Sequence, residues 1–285
     1  MSPPDRKGPL CLVAASICWS FGGLCIKFIP WSAMCIIGLR AIFAAAVFAV
    51  YRRSLRIRFT TGNILAALCL SATTVFFVFA NKMTTAAAAI LLQFTAPVFI
   101  ILIEFILYRK KPGLSAVAAV SATLLGMLLL FADRLEAGGM LGNIFGLASG
   151  LSFAGVFICN KRPDADTTQS IFLGFLINAV IGMPFVFFSV TADLTGWVMT
   201  IFLGIVQVGI AYVLFSIGIR NTPALLACLI TALEPMLNPV WVALLADEIP
   251  GAYSIAGGCV IISAVVAYNI WIEKHPDKLP AEQGP

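Results

Sequence analysis

The sequence has little charge: of its 285 residues, 11% are acidic or basic and 61% are apolar. Soluble globular domains carry about 25% charged residues, so the polar side chains here are too few to cover the surface of one. Apolar runs of about 20 residues, the length that crosses a bilayer core as a helix, recur along the whole chain. The sequence therefore predicts an integral membrane protein, with no soluble domain between its hydrophobic segments.

Several features that carry chemistry are also missing. The single histidine, His275, lies in the C-terminal tail, which argues against a histidine metal site or a histidine-based catalytic triad within the membrane. The eight cysteines form no CxxC pair, and there is no GxxxxGK[ST] loop for nucleotide phosphates. We therefore expect no cofactor, no metal and no ATP-driven pumping.

Loop residues divide the chain into ten hydrophobic spans. Because lipid offers the backbone no hydrogen bonds, long apolar runs without alternation predict helices rather than barrel strands. The predicted spans cover residues 8–27, 31–51, 62–80, 84–108, 114–132, 140–160, 168–190, 196–218, 222–246 and 252–272.

Positive charge is distributed unevenly between the two sides of these spans. With the N-terminus in the cytoplasm, 14 Lys and Arg residues fall inside and three, Lys27, Lys82 and Arg134, fall outside, while Arg40 lies within a span. Cytoplasmic loops of membrane proteins are enriched in positive charge. The net charge of +5 is thus interpreted as a topology signal that places both termini inside, not as a surface for nucleic acid.

The second half of the chain repeats the first. A shift of 138 residues aligns 74–130 with 212–268 without a gap, and it superimposes Pro97 on Pro235. Because each half holds an odd number of spans, the second half must enter the membrane from the opposite side. The predicted fold is all-α, with inverted five-helix repeats at 8–132 and 140–272 around a central cavity and a cytoplasmic tail at 273–285.

Several motifs resemble those of the drug/metabolite transporter superfamily, in its ten-helix EamA-type branch. They are CWSFGG (18–23), Arg40 in the second span, LLQFTAP (91–97), ALEPMLNP (232–239) and DEIPG (247–251). Within that branch the chain is most similar to bacterial exporters of aromatic amino acids. The resemblance implies a multi-pass protein of the bacterial inner membrane, a monomer or homodimer, that exports neutral, especially aromatic, amino acids by alternating access.

Two other functions remain open at the level of sequence. The chain could export another small metabolite or a drug-like cation, since the shared motifs do not specify the substrate. An intramembrane transferase would be an enzyme instead of a transporter, and it would need clusters of acids or histidines at a membrane edge. Asp247 and Glu248 are too sparse for that, so we expect a transporter whose partners are a small amino acid and the lipid bilayer.

Prolines within the fourth and ninth spans are candidate hinge or gating residues. Pro97 lies midway along the fourth span, and Pro235 and Pro239 lie in the ninth, its counterpart in the repeat. Proline removes a backbone hydrogen bond and bends a helix. Matched interruptions in both halves indicate a binding region or hinge, although static kinks that only assist packing would give the same pattern.

Two charged residues, Arg40 and Glu234, lie deep within spans. An ionised side chain at the centre of a bilayer costs about 3 kcal/mol on insertion scales, so each should face protein or water. They could form an ion pair that holds the two halves together. Alternatively, Arg40 binds a substrate carboxylate while Glu234 receives an ammonium group or a proton.

An aromatic substrate requires apolar walls and a few polar groups. The preferred candidates are Trp19, Phe79, Gln93 and Trp241, which adjoin the family motifs or the repeated segments. Further candidates are the aromatic residues Phe76, Phe77, Tyr212 and Phe215 and the polar residues Gln207, Asn160 and Asn238. Gly142, Gly146 and Gly150 form a GxxxGxxxG stripe, which predicts a close helix contact inside the protein, with a dimer contact as the alternative.

Overall fold

The computed structural model describes residues 7–22, 29–84, 86–109, 111–132, 139–237 and 251–275, and every regular element within these ranges is helical. A π-helical segment, Leu203–Ile210, interrupts one helix, and a short helical run covers 233–237. The α-helices are α1 (Lys7–Ser20), α2 (Ala33–Arg52), α3 (Thr61–Met83), α4 (Ala86–Gln93), α5 (Ala96–Tyr108), α6 (Leu114–Leu130), α7 (Met140–Cys159), α8 (Thr167–Ser189), α9 (Leu194–Phe202), α10 (Ala211–Arg220), α11 (Ala224–Thr231) and α12 (Ala252–Lys274).

The helices have the length and composition of membrane spans. Seven segments of the described chain are long and apolar enough to cross a bilayer, and two shorter apolar helices, Leu114–Leu130 and Ala224–Leu237, accompany them. The longest is Leu194–Arg220, which joins α9, the π-helical segment and α10. The prediction of an all-helical membrane protein is confirmed.

The fourth predicted span is not one bent helix. It is two helices, because α4 ends at Gln93 and α5 begins at Ala96, with Thr95 as its N-cap residue. Pro97 lies in the first turn of α5, where its missing N–H has no intrahelical partner to lose. The interruption therefore lies just before Pro97, and a hinge or gating role for this residue stays a prediction.

The second half contains the same interruption. Helix α11 spans Ala224–Thr231, and a shift of 138 residues places it on α4, Ala86–Gln93, over its whole length of eight residues. Ala232 forms a turn, and helical geometry resumes at 233–237. All eight residues of α11 are buried, and α11 packs against α1 and α5. The two interrupted helices therefore meet in the interior of the bundle.

The glycine stripe of α7 is an internal contact, as predicted. A methyl group on Gly142 would lie 2.5 Å from the backbone of Met83 at the end of α3, and one on Gly146 would lie 2.9 Å from the Leu92 side chain. A methyl group on Gly150 would lie 2.8 Å from the carbonyl oxygen of Leu92. Only a residue without Cβ allows α7 to approach the interrupted end of α4 this closely.

At one end of the bundle, the loop between α7 and α8 is bonded to the start of α3. The backbone N–H of Gly62 donates to Asp164 Oδ2 over 2.7 Å, and the N–H of Asp166 donates to Asn63 Oδ1 over 2.6 Å. The Gly62 hydrogen bond and the neighbouring Arg162 guanidinium hold the pKa of Asp164 below its usual value. These bonds join the first half of the chain to the second.

Asp166 also caps helix α8. Its Oδ1 accepts hydrogen bonds from the backbone N–H groups of Thr168 and Gln169 and from the Thr168 hydroxyl. Partial burial by itself would raise the pKa of Asp166, but these bonds outweigh it and lower the pKa. The charged carboxylate therefore stabilises the start of the helix.

Candidate functional site

The two deep charges, Arg40 on α2 and Glu234 after the α11 interruption, both lie near Tyr212. The Tyr212 phenol, on α10, is close enough to both residues to interact with their charges. No ion pair or hydrogen bond joins Arg40 to Glu234 among the described residues. Both side chains are half-buried.

The structure does not show the first interpretation of the two charges, since a direct Arg40–Glu234 ion pair is absent from the described residues. Without that pair, an ionised side chain within the bundle needs another partner, such as water or a bound molecule, because unpaired ions in hydrocarbon are expensive. A molecule with separated positive and negative groups has the chemistry to bind both.

Trp19 provides an aromatic wall beside Tyr212. The Trp19 ring packs edge-on against Tyr212, with centroids 4.9 Å apart, and lies 5.2 Å from the Phe215 ring. Tyr212 in turn contacts Phe175 at 5.3 Å, and Phe157 contacts Phe215 at 5.5 Å. The rings of this cluster come from four helices, α1, α7, α8 and α10. They surround Tyr212, the residue near both Arg40 and Glu234, with apolar surface.

Gln207, in the π-helical segment, completes the surroundings of Trp19. Its Nε2 donates a hydrogen bond to the Trp19 carbonyl oxygen over 3.2 Å. Its Oε1 is buried without a hydrogen-bond partner in the described chain, and so is the Trp19 Nε1. A π-helical turn inserts an extra residue into a helix and often marks a functional site. The amide was one of several polar candidates in the sequence, and no residue pattern there predicts the π-helical turn.

The remaining sequence candidates are dispersed. Phe79, on α3, stacks on Phe145 with centroids 5.4 Å apart, and its ring contacts do not include the Trp19 cluster. Gln93 is the last residue of α4, at the first interruption, and is half-buried. Pro235 is buried beside Glu234. Pro239 and Trp241 lie outside the described residues.

Both halves of the chain match a known protein family. The model of the EamA-like transporter family matches residues 6–132 and again 140–270, once in each half of the chain. The chain belongs to the EamA-like transporter family. Membership of this family supports transport across a membrane as the activity of this chain.

Individual relatives support the same assignment. The chain is 26% identical over 192 residues to an uncharacterized transporter of Archaeoglobus fulgidus, which covers 67% of this chain and 69% of that protein. It is 28% identical to the uncharacterized transporter YwfM of Bacillus subtilis over 60% of each chain. A third relative, YxxF of Bacillus subtilis, is 26% identical over 64% of this chain and 61% of its own length.

A solved crystal structure has the same fold. It superimposes with a TM-score of 0.79 and covers 95% of this chain and 99% of its own, at 18% sequence identity. At that identity the similarity concerns the arrangement of the helices.

Proposed function

We propose that this EamA-like transporter is a secondary exporter of neutral, especially aromatic, amino acids across the bacterial inner membrane. The observation that carries the proposal is that Arg40 and Glu234 both lie near Tyr212 within the bundle while no ion pair joins them. A neutral amino acid is a zwitterion, so Arg40 would bind its carboxylate and Glu234 its ammonium group. The Trp19 ring beside Tyr212 supplies the apolar contact for an aromatic side chain.

The interrupted helices suggest how the site would open. Helices α4 and α11 end at matching positions of the two halves, and α11 packs against α5, which continues the first interrupted span. Interrupted helices near the midplane are typical of transporters that rock one repeat against the other. We propose that all ten predicted spans cross the membrane, that both termini are cytoplasmic, and that Pro97, Pro235 and Pro239 shape the hinges.

Reconstituted protein tests this proposal. Proteoliposomes loaded with labelled tryptophan, phenylalanine or threonine should release them in a saturable way, faster than protein-free liposomes do. Arg40→Gln and Glu234→Gln should each reduce the rate more than tenfold, because each removes a charge-assisted contact. Phe188→Leu, which alters an exposed ring of α8, serves as the control and should transport normally. Absence of saturable amino-acid flux in the wild type would refute the proposal.

One observation favours a second candidate, the export of a drug-like cation. Glu234 is not neutralised by Arg40 in the structure, and an acid near the aromatic ring of Tyr212 suits an organic cation. The same proteoliposomes loaded with a cationic dye distinguish the two functions. Dye flux that depends on Glu234 but not on Arg40 would support the cation exporter, whereas zwitterion export requires both residues.

A further inference from the structure

The carboxamide of Gln207 has a fixed orientation in the interior. Gln207 is 8% exposed and Trp19 is 5% exposed. Since a carbonyl oxygen only accepts hydrogen bonds, the group bonded to the Trp19 oxygen must be the Gln207 NH₂, and Oε1 points elsewhere. Gly22 leaves room for this amide, because a methyl group there would lie 2.6 Å from Nε2.

Two buried polar atoms on these residues, one acceptor and one donor, have no hydrogen-bond partner within the described chain. The acceptor is Gln207 Oε1 and the donor is the Trp19 indole Nε1–H. Leaving a buried polar group without a hydrogen bond costs about 1–3 kcal/mol, so native proteins rarely retain such groups without a reason. The Trp19 ring packs against Tyr212, and Tyr212 is the residue that lies near both Arg40 and Glu234.

The π-helical segment explains how the chain maintains this arrangement. Within it, Gly204 packs against α2, where a methyl group would lie 3.1 Å from the Arg40 carbonyl oxygen. The same segment thus contacts the Arg40 backbone through Gly204 and the Trp19 backbone through Gln207. A regular α-helix would rotate Gln207 relative to Gly204, since the π-helix inserts a residue.

We propose that Gln207 Oε1 accepts a hydrogen bond from the substrate's ammonium group, beside the charge of Glu234, while Trp19 Nε1–H donates to the carboxylate that Arg40 binds, so that the site selects free α-amino acids. The inference rests on the proposed function and adds a specificity residue to it. Gln207 is neutral, so it recognises an ammonium group without favouring a net positive substrate. N-acylated amino acids keep only one uncharged N–H for that contact, so it weakens, and amines without a carboxylate lose the contact with Trp19.

The test compares three ligands in proteoliposomes and in a thermal-shift assay: tryptophan, N-acetyltryptophan and tryptamine. Gln207→Met keeps the volume and removes both amide functions, whereas Gln207→Glu keeps an acceptor and removes the Nε2 donor. We expect Gln207→Met to raise KM for tryptophan about 10- to 100-fold and to raise KM for N-acetyltryptophan clearly less, because its amide N–H carries no charge. We expect Gln207→Glu to stay within about tenfold of wild type for tryptophan and to gain affinity for tryptamine.

Two further variants separate recognition from structure. Trp19→Phe removes the indole N–H and should weaken tryptophan and N-acetyltryptophan equally, about tenfold, without affecting tryptamine. Asn178→Leu is the matched control: Asn178 is a buried amide of α8, but its Oδ1 already accepts from the Ser71 hydroxyl over 2.7 Å. It should lower thermal stability without changing the order of preference among the three ligands.

The outcomes distinguish this inference from the proposed function. If the wild type does not transport tryptophan and tryptophan does not raise its melting temperature, the proposed function fails and the inference fails with it. If the wild type transports tryptophan but Gln207→Met changes KM for all three ligands equally, Gln207 is structural and its Oε1 binds only water. Equal losses in Gln207→Met and Gln207→Glu would likewise overturn the inference, because they would assign the effect to the Nε2 bond with Trp19.

Discussion

Gly126 on α6 and Gly257 on α12 bring the backbones of the two helices into contact. A methyl group on Gly257 would lie 2.5 Å from the Gly126 carbonyl oxygen and 2.5 Å from the Leu130 backbone nitrogen. The adjacent Gly258 faces open packing, with the nearest atom, the Met236 Cε, at 3.5 Å. Two neighbouring glycines of one helix thus have different roles.

Gly257→Ala should destabilise the protein by about 1–3 kcal/mol, because the helices must separate to admit the methyl group. Gly258→Ala is the matched control and should be neutral or stabilising by up to about 1 kcal/mol, since alanine favours a helix. Thermal unfolding in detergent measures both. Equal destabilisation by the two substitutions would contradict the packing described here.

Exchanging the two deep charges should not restore transport. Arg40→Glu and Glu234→Arg should each reduce amino-acid flux more than tenfold, and the double variant should remain equally impaired. The physical reason is that Tyr212 interacts with both charges while no ion pair joins them, so each has its own ligand group to bind. Flux is measured in proteoliposomes; recovery in the double variant would establish a direct pair.

Cys69 on α3 and Cys159 on α7 should form a disulfide under mild oxidation. Cys69 Sγ lies against α7 near Cys159, since a methyl group on Gly155, one turn before Cys159, would lie 2.6 Å from it, and the two thiols are near enough to interact. Copper–phenanthroline should therefore protect both thiols from maleimide labelling, and reduction should restore the labelling. Cys69→Ser should remain labelled at Cys159 after oxidation; protection in that variant would indicate a different partner.

Acid should weaken the junction between the start of α3 and the loop before α8. Asp164 and Asp166 both have a lowered pKa in the fold, so their stabilising effect is complete above the unfolded pKa of about 4. It is lost as pH falls through the lower, folded pKa. Wild-type melting temperature should thus fall below pH 4 more steeply than that of Asp164→Asn or Asp166→Asn. Parallel curves for all three proteins would contradict these shifts.

The repeat was predictable from the sequence because helix interruption depends on local chemistry. The 138-residue shift aligns α4 with α11 residue for residue, and the family model matches each half. Its exact position was less predictable, because the sequence pointed to Pro97 whereas the helix is interrupted at residues 94–95, just before it. Proline is accommodated in the first turn of a helix, and it also bends a continuous helix when it lies in the interior. The sequence does not distinguish these cases; the packing does, here the close approach of Gly150 of α7 to the Leu92 carbonyl oxygen.

Composition alone determined that this chain is embedded in lipid, because it has little charge and long apolar runs. Since lipid offers the backbone no hydrogen bonds, these runs must form helices, which satisfy their own backbone groups. The site was decided by tertiary structure. Arg40 and Glu234 stood out in the sequence as costly charges, but whether they pair depends on where α2 and the 233–237 run lie relative to Tyr212. The unpartnered atoms of Gln207 and Trp19 depend on contacts between residues 188 positions apart and on a π-helical turn, which no local pattern encodes.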